Sequence, residues 1–227
     1  MSRLNVEYTL CRSLYVMTDL LETLDAGHAE KRVDPIAFDI ETAGVYPKEQ
    51  RKEAQKLLDE GNLDEYTRRL AAVAANNNGL SFPSIIKTTH FVFGLTKNNS
   101  TIYVPNNEHE EAAFWNFLTK MKSKMIIHNS LFDLKVMYHR TGKLFEDFED
   151  SALRAKTLIN DANSWKSKTG LKDLMGAYYD PKWSLFEDYE PSDPCDKGFL
   201  QYAAIDGAAT IHLWEMLNSW RFQTNGK

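Results

Sequence analysis

Residues 36 to 41 alternate strictly, with Ile36, Phe38 and Ile40 on one side and Ala37, Asp39 and Glu41 on the other. A period of two belongs to a strand, here with one greasy face and one acidic face. Upstream, "VEYT" at 6–9 predicts a short strand, and Leu14, Met17, Leu21 and Leu24 predict a helix over 11–25. Downstream, "IIKTTHFVFGLT" and "NSTIYVPNN" predict two strands joined by a turn at residues 97–99. A helix is expected over 108–122, then a short strand in "KMIIHN", then a helix through "SLFDLKVMYHR" that stops at Gly142. Leu200, Ala203, Ala204, Ala208, Ile211 and Leu213 predict a closing helix over 197–220.

One stretch breaks this rhythm. After Pro47 the composition shifts to "KEQRKEAQKLLDEGNLDEYTRRLAAVAANNNGL", rich in helix formers, with a break at Gly61-Asn62 and a stop at 76–79. Residues 47–83 are therefore expected to form an inserted helical hairpin within one domain spanning 1–227. Its length and dense charge predict engagement of a partner or DNA, which deletion of 48–79 would test through binding and processivity. Strands with intervening helices, one pair antiparallel, predict an α/β domain with a mixed sheet.

Composition narrows the function classes. Hydrophobic residues make up 43% of 227 residues, ample for a core. No apolar run approaches the ~18 residues of a membrane span, and "MSRLNVEYTL" lacks a signal peptide's regions, so a soluble, cytoplasmic protein is expected. Cys11 and Cys195 have no metal-site spacing and read as reduced thiols. A formal net charge of -5 argues against extensive electrostatic binding to a duplex, although acids gathered around metal ions would make that count misleading.

The candidate chemistry is acidic. Asp39 and Glu41 sit about 6.6 Å apart along a strand, close enough to converge, and they repel unless something positive lies between them. Asn129 and Asp133 share a helix face if the helix begins near Asn129, and Tyr202 and Asp206 repeat that spacing. Asp206, beside alanines and Ile205, is a costly residue for a helix interior. The run Glu146, Asp147, Glu149 and Asp150 reads as a solvated face, with Asp150 starting the next helix. His90, His128, His139 and His212 share no spacing, and the aromatics of "YYDPKWSLFEDY" read as loop packing. An aspartic protease would need Asp-Thr-Gly twice, and a glycosidase leaves the third acid and the tyrosine unexplained.

Taken together, "FDIETAG", "NSLFD" and "YAAID" resemble the three motifs of the DEDD exonuclease superfamily in its tyrosine branch. That branch includes the proofreading 3′ to 5′ exonuclease domain of family A DNA polymerases and the ribonuclease D group. "IYVP" and "DSALRAKTLIND…GLKDL" extend the resemblance, while 47–83 has no counterpart, and Gln201 stands where the histidine branch would want its His. The resemblance implies a ribonuclease H-like fold and two Mg²⁺ or Mn²⁺ ions per active site, which suit oxygen-only ligands. It implies that Asp39 bridges the ions, that Glu41 and Asp206 complete one site, and that Asp133 holds the second ion through water. Tyr202 would orient the attacking water, Thr42 would lie near the terminal sugar, and Asn129 and Phe132 would lie along the single strand.

The expected activity is hydrolysis of 3′-terminal phosphodiesters of single-stranded or frayed DNA, as in proofreading. The partners implied are a DNA 3′ end and a separate DNA polymerase or replication protein. Without room for a polymerase domain after Lys227, the chain is expected to be a stand-alone nuclease of a phage or other mobile replication system, a subunit, or an excised domain. Two alternatives are RNA trimming as in ribonuclease D and a noncatalytic module on the same fold.

Overall fold

The computed structural model describes residues 6–29, 35–43, 48–65, 67–68, 71–72, 87–158, 170–185 and 195–224. Its strands are β1 (Glu7–Cys11), β2 (Ile36–Ala43), β3 (Lys87–Thr96), β4 (Asn99–Tyr103), β5 (Met125–Ile127) and β6 (Phe148–Asp150). Its helices are α1 (Leu14–Ala29), α2 (Lys48–Glu60), α3 (Glu108–Leu118), α4 (Leu131–Thr141), α5 (Ser151–Leu158), α6 (Leu171–Tyr178) and α7 (Lys197–Thr224), with a 3-10 turn at Pro181–Leu185. The strands form one six-stranded sheet in the order β1-β4-β3-β2-β5-β6. β2, β3 and β4 pair antiparallel, and β1, β5 and β6 join in parallel. This mixed sheet with flanking helices is the ribonuclease H-like arrangement that the motifs implied.

The alternation along β2 sorts its residues between two layers. Ile36, Phe38 and Ile40 enter a core with Met17, Leu21, Phe91, Phe93, Phe114 and Trp115. There Phe91 meets Phe114 and Trp115 edge-on, at centroid distances of 4.8 and 4.9 Å, the geometry aromatic quadrupoles favour. Each such fully buried side chain stabilises the fold by roughly 1.5–3 kcal/mol. On the opposite face Val92 and Ile102 pack against Ala203, Ala204, Ala208 and Leu213 of α7.

Small residues let α7 lie unusually close to that face. A Cβ built on Gly94 of β3 would stand 2.1 Å from the Gly207 carbonyl oxygen, and one on Gly207 would stand 3.0 to 3.1 Å from Val92, Gly94 and Ser100. The Ser100 hydroxyl donates to the Ala204 carbonyl at 2.7 Å, pinning helix to sheet. This close approach sets the depth at which the next side chain along, Asp206, meets β2.

Several boundaries differ from the periodicity. The first helix starts at Leu14, because Cys11 ends β1 and Ser13 begins the helical bonding, its carbonyl accepting from Met17 at 3.0 Å. The helix expected to reach 122 ends at Leu118, where the Lys120 and Met121 amides bond three residues back and tighten the chain into a turn. The charged run before Asp150 contains a short strand, β6, whose acids hid it from pattern reading. Within 47–83, α2 ends next to Gly61, which takes a φ of +72°. The 76–79 stop and most of the second arm lie outside the described residues. No described helix is long and apolar enough to cross a membrane.

Candidate active site

The acidic face of β2 points at α7. Asp39 lies opposite Val92 and Glu41 opposite His90, and the β2–β3 register shifts between Glu41 and Thr42. Such a bulge re-aims side chains at the end of a strand. The Thr89 hydroxyl secures it by donating to the Glu41 carbonyl at 3.1 Å. From the other side α7 brings in Asp206, and carboxylate oxygens of Asp39, Glu41 and Asp206 lie within 4.8 Å of one another. Among the described residues this is the cluster of His, Cys, Asp and Glu able to share one cation.

Asp133 enters from α4 by a different route. β2 pairs with β5 only through Ile36 and Ala37, so the Ile40 amide lies past the end of that ladder. Asp133 takes it, its Oδ1 accepting from Ile40 N at 3.1 Å. An otherwise orphaned buried donor is thus satisfied by an acid that is itself only 4% exposed. One Asp133 oxygen is committed to the backbone, and the acid lies outside the 4.8 Å cluster.

The turn that delivers Asp133 is built on Asp150. Asp150 accepts from the amides of Asn129 (3.3 Å) and Ser130 (2.8 Å) and from the Ser130 hydroxyl (2.8 Å). It also caps α5 through the amides of Ala152 (2.8 Å) and Leu153 (3.0 Å). Asn129 adopts a left-handed conformation with φ +58°, which Asn tolerates better than most residues. Consequently α4 starts at Leu131, and the expected helical pairing of Asn129 with Asp133 does not form. Asn129 instead sits exposed on the turn before the helix.

Tyr202 and Asp206, one turn apart on α7, do share a face, and, after burial, the charge of the nearby Asp206 carboxylate raises the Tyr202 phenol pKa. Lys172 of α6 reaches the same tyrosine, with Nζ 3.3 Å from the hydroxyl and 4.4 Å from the ring centroid. It is also the cation that opposes the negative charge around Glu41.

The electrostatics are those of an anionic site short of positive charge. Burial first, then the Asp206 charge, push the Asp39 pKa up to about 7 against the pull of the Ile40 amide. Glu41 is raised well above the carboxylate range by burial, then by Asp39, Asp206 and Asp133. Asp133 is raised by burial and by Asp39. Burial and the neighbouring carboxylates also hold the Tyr202 phenol above its ordinary value, so it stays protonated. Converging, poorly compensated oxygen donors fit a hard divalent cation, which would remove the repulsion that raises these values.

Thr42 is half-buried at the β2 bulge, one residue from the cluster. Phe132 is partly buried against the aromatic core, closer to a packing residue than to a free stacking face. His128 bonds the Ser151 hydroxyl at 2.9 Å, buried His90 packs on Phe199, and His212 lies 3.9 Å from the Tyr179 ring. Tyr179 also meets Trp183, the loop packing expected there, while residues 186–189 of that stretch lie outside the described residues. In the acidic run Glu146 and Asp147 are exposed, as expected. Glu149 departs from the solvated reading, because it is partly buried and paired with Arg154 and, at 3.3 Å, with Lys124. Pattern reading missed Lys172, Gly94 and Gly207; the Gly following an expected helical Asp was the available signal for close packing.

A family model described as 3′-5′ exonuclease matches residues 91–220, which hold Asp133, Tyr202 and Asp206 but begin after Asp39 and Glu41. No curated protein matches the chain. Solved structures share its fold at low identity. Brucella melitensis NrnC is 18% identical with a TM-score of 0.57, over 86% of this chain and 76% of its own. The catalytic core of RRP6 from Trypanosoma brucei is 12% identical with a TM-score of 0.62, over 99% of this chain and 50% of its own. Escherichia coli RNase D, described as an exoribonuclease involved in structured RNA processing, is 13% identical with a TM-score of 0.58, over 97% of this chain and 46% of its own.

Proposed function

Because the chain belongs to the 3′-5′ exonuclease family, we propose that its acidic cluster hydrolyses the 3′-terminal phosphodiester of single-stranded or frayed DNA, releasing nucleoside monophosphates one at a time. The observation that carries this reading is the convergence of Asp39, Glu41 and Asp206 within 4.8 Å, with a tyrosine one helical turn before Asp206 on the same face. Asp39, Glu41 and Asp206 would hold one Mg²⁺ or Mn²⁺ and Asp133, with Asp39 shared, a second. When bound, such ions lower the pKa of the attacking water and offset charge on the departing 3′ oxygen.

The chain's own groups do the rest. Tyr202 keeps its proton and donates it as a hydrogen bond, orienting the water without acting as a base. Asp133 ties α4 to β2 and so holds its own carboxylate close to Asp39, where it would serve a second ion. Thr42 at the β2 bulge is read as meeting the terminal sugar, and Asn129, on the turn before α4, and Phe132, in its first turn, as lying along the strand. The whole of 1–227 is read as one exonuclease domain in the cytoplasm, with 47–83 inserted in it, and the net charge of -5 favours a replication partner that adds DNA affinity.

The second reading is RNA trimming, favoured by the likeness to RNase D, whose description is that of an exoribonuclease. A 5′-labelled single-stranded DNA and its RNA equivalent, each with Mg²⁺ or Mn²⁺, decide between them. A DNA ladder shortening from the 3′ end, faster than RNA loss and absent in Asp39→Ala/Glu41→Ala, is expected. Faster RNA loss selects the second reading, and no metal-dependent cleavage of either overturns both.

A further inference from the structure

The Lys172–Tyr202 contact has a direction built into it. An ammonium has three donors and no acceptor, so at 3.3 Å it can only donate to the phenol oxygen. That oxygen's single proton is then directed elsewhere, and Asp206, one helical turn on, is the carboxylate on the same face of α7. The ammonium also lies 4.4 Å from the ring centroid, inside the ~6 Å reach of a cation–π contact, so the ring as well as the hydroxyl is held.

Lys172 is itself well placed to be rigid. It sits in the first turn of α6, a helix anchored against α7 by buried Leu174 and Met175, which belong to the same core as Ala203 and Ala204. The lysine and the tyrosine therefore ride on two elements locked together. Nothing in a packing role requires a cation here, since a methionine would fill the same length.

We propose that Lys172 is a positioning residue that fixes the Tyr202 hydroxyl as a hydrogen-bond donor toward the carboxylate cluster, an inference that rests on the nuclease reading of that site. Without it the phenol is free to accept a hydrogen bond from water and present a lone pair where a donor is needed. With it, the hydroxyl offers its proton toward the carboxylate cluster, and to the attacking water during hydrolysis.

The test is a double-mutant cycle in an enzyme whose metal-dependent cleavage has first been measured, so that the nuclease reading is judged separately on the wild type. Losing an oriented donor costs on the order of 10²-fold in turnover, and Lys172→Met is expected to lower kcat about 10-fold, the part that orientation controls, with KM nearly unchanged. Lys172→Arg, which keeps a donor cation, should recover most of the loss. Tyr202→Phe should lower kcat further, and Lys172→Met/Tyr202→Phe should be no slower than Tyr202→Phe alone. Multiplicative losses, or a Lys172→Met defect mainly in KM, would overturn the proposal by showing that the lysine acts on the nucleic acid itself. Mn²⁺ titration of the same variants supplies a readout apart from turnover. Affinity unchanged or tightened in Lys172→Met is expected, because a cation near Glu41 has gone, whereas weakened affinity would make the lysine a support for the cluster and overturn the positioning role.

Discussion

Two groups of acids lie on either side of the turn between β5 and α4, and they are electrical opposites. Asp150 is surrounded by donors: burial works to raise its pKa, yet the amides of Leu153, Ser130 and Ala152 and the Ser130 hydroxyl hold it below the usual value. Glu149 beside it is likewise held low, burial being outweighed by the hydrogen bond and charge of Arg154. Asp39, Glu41 and Asp133, by contrast, are all raised, by burial and then by one another or Asp206. An acid that a fold needs for its own stability comes with its donors. Acids whose values stay raised beside one another mark a candidate site for a ligand that brings positive charge.

That contrast makes opposite demands on two substitutions. Asp39→Asn removes an uncompensated charge, so at pH 8 the metal-free protein should unfold at a temperature higher by a few degrees, on the scale of roughly 2–4 °C per kcal/mol for this size. Its activity should collapse, since cation-held charge stabilisation is worth several kcal/mol and about 4 kcal/mol corresponds to roughly 10³-fold in rate. Mg²⁺ should also lose most of its stabilising effect in a thermal melt. A variant that is less stable than wild type without metal would place Asp39 with the structural acids and erase the distinction.

Asp150→Ala is the converse. It leaves the amides of Ser130, Ala152 and Leu153 without their acceptor, which should destabilise the protein by about 2–3 kcal/mol from a lost cap and an unsatisfied turn. Activity should fall less steeply than stability, through the displacement of Asp133, and Mg²⁺ should still raise the melting temperature. If the Mg²⁺ response vanished while the protein stayed folded, Asp150 would belong to the metal-binding group instead.

How much of this contrast was legible in the chain depends on whether a residue's partners are local. The strand carrying Asp39 and Glu41 and the helix carrying Tyr202 and Asp206 follow from spacing alone, because periods of two and of four residues are properties of the backbone. The helical start of α5 at Asp150 was equally readable, as a capping acid before a helix. Asn129 was misplaced, because the left-handed φ that ends β5 is imposed by the route from sheet to helix and leaves no periodic trace. Lys172 stands 30 residues from Tyr202, and Gly94 is brought onto Gly207 only by the packing of α7 on the sheet. Such pairs are fixed by the fold and have no signature in either segment alone. The dense charge of 146–150 hid both a strand and a set of satisfied acids, since charge count does not reveal where donors will be.

The pH dependence of stability should carry both groups at once, with opposite signs. A carboxyl whose folded pKa is raised gives stability that is full below its unfolded value and is lost as pH rises through the folded value. For Asp39 that window runs from 3.8 to about 7, and Glu41 and Asp133 act in the same direction. Asp150 and Glu149, whose folded values are lowered, give stability that is present above their ordinary values of 3.8 and 4.5 and is lost as pH falls below them. The metal-free protein should therefore melt highest in the mildly acidic range, falling on the acid side as the Asp150 and Glu149 bonds are protonated away. It should fall on the neutral side as the cluster ionises. Saturating Mg²⁺ should flatten the neutral limb and leave the acid limb in place, because the ion compensates one set of acids and has no access to the role of the other. Equal flattening of both limbs would mean that the two groups of acids respond to the cation alike, and a neutral limb untouched by Mg²⁺ would mean that the raised acids are not its ligands.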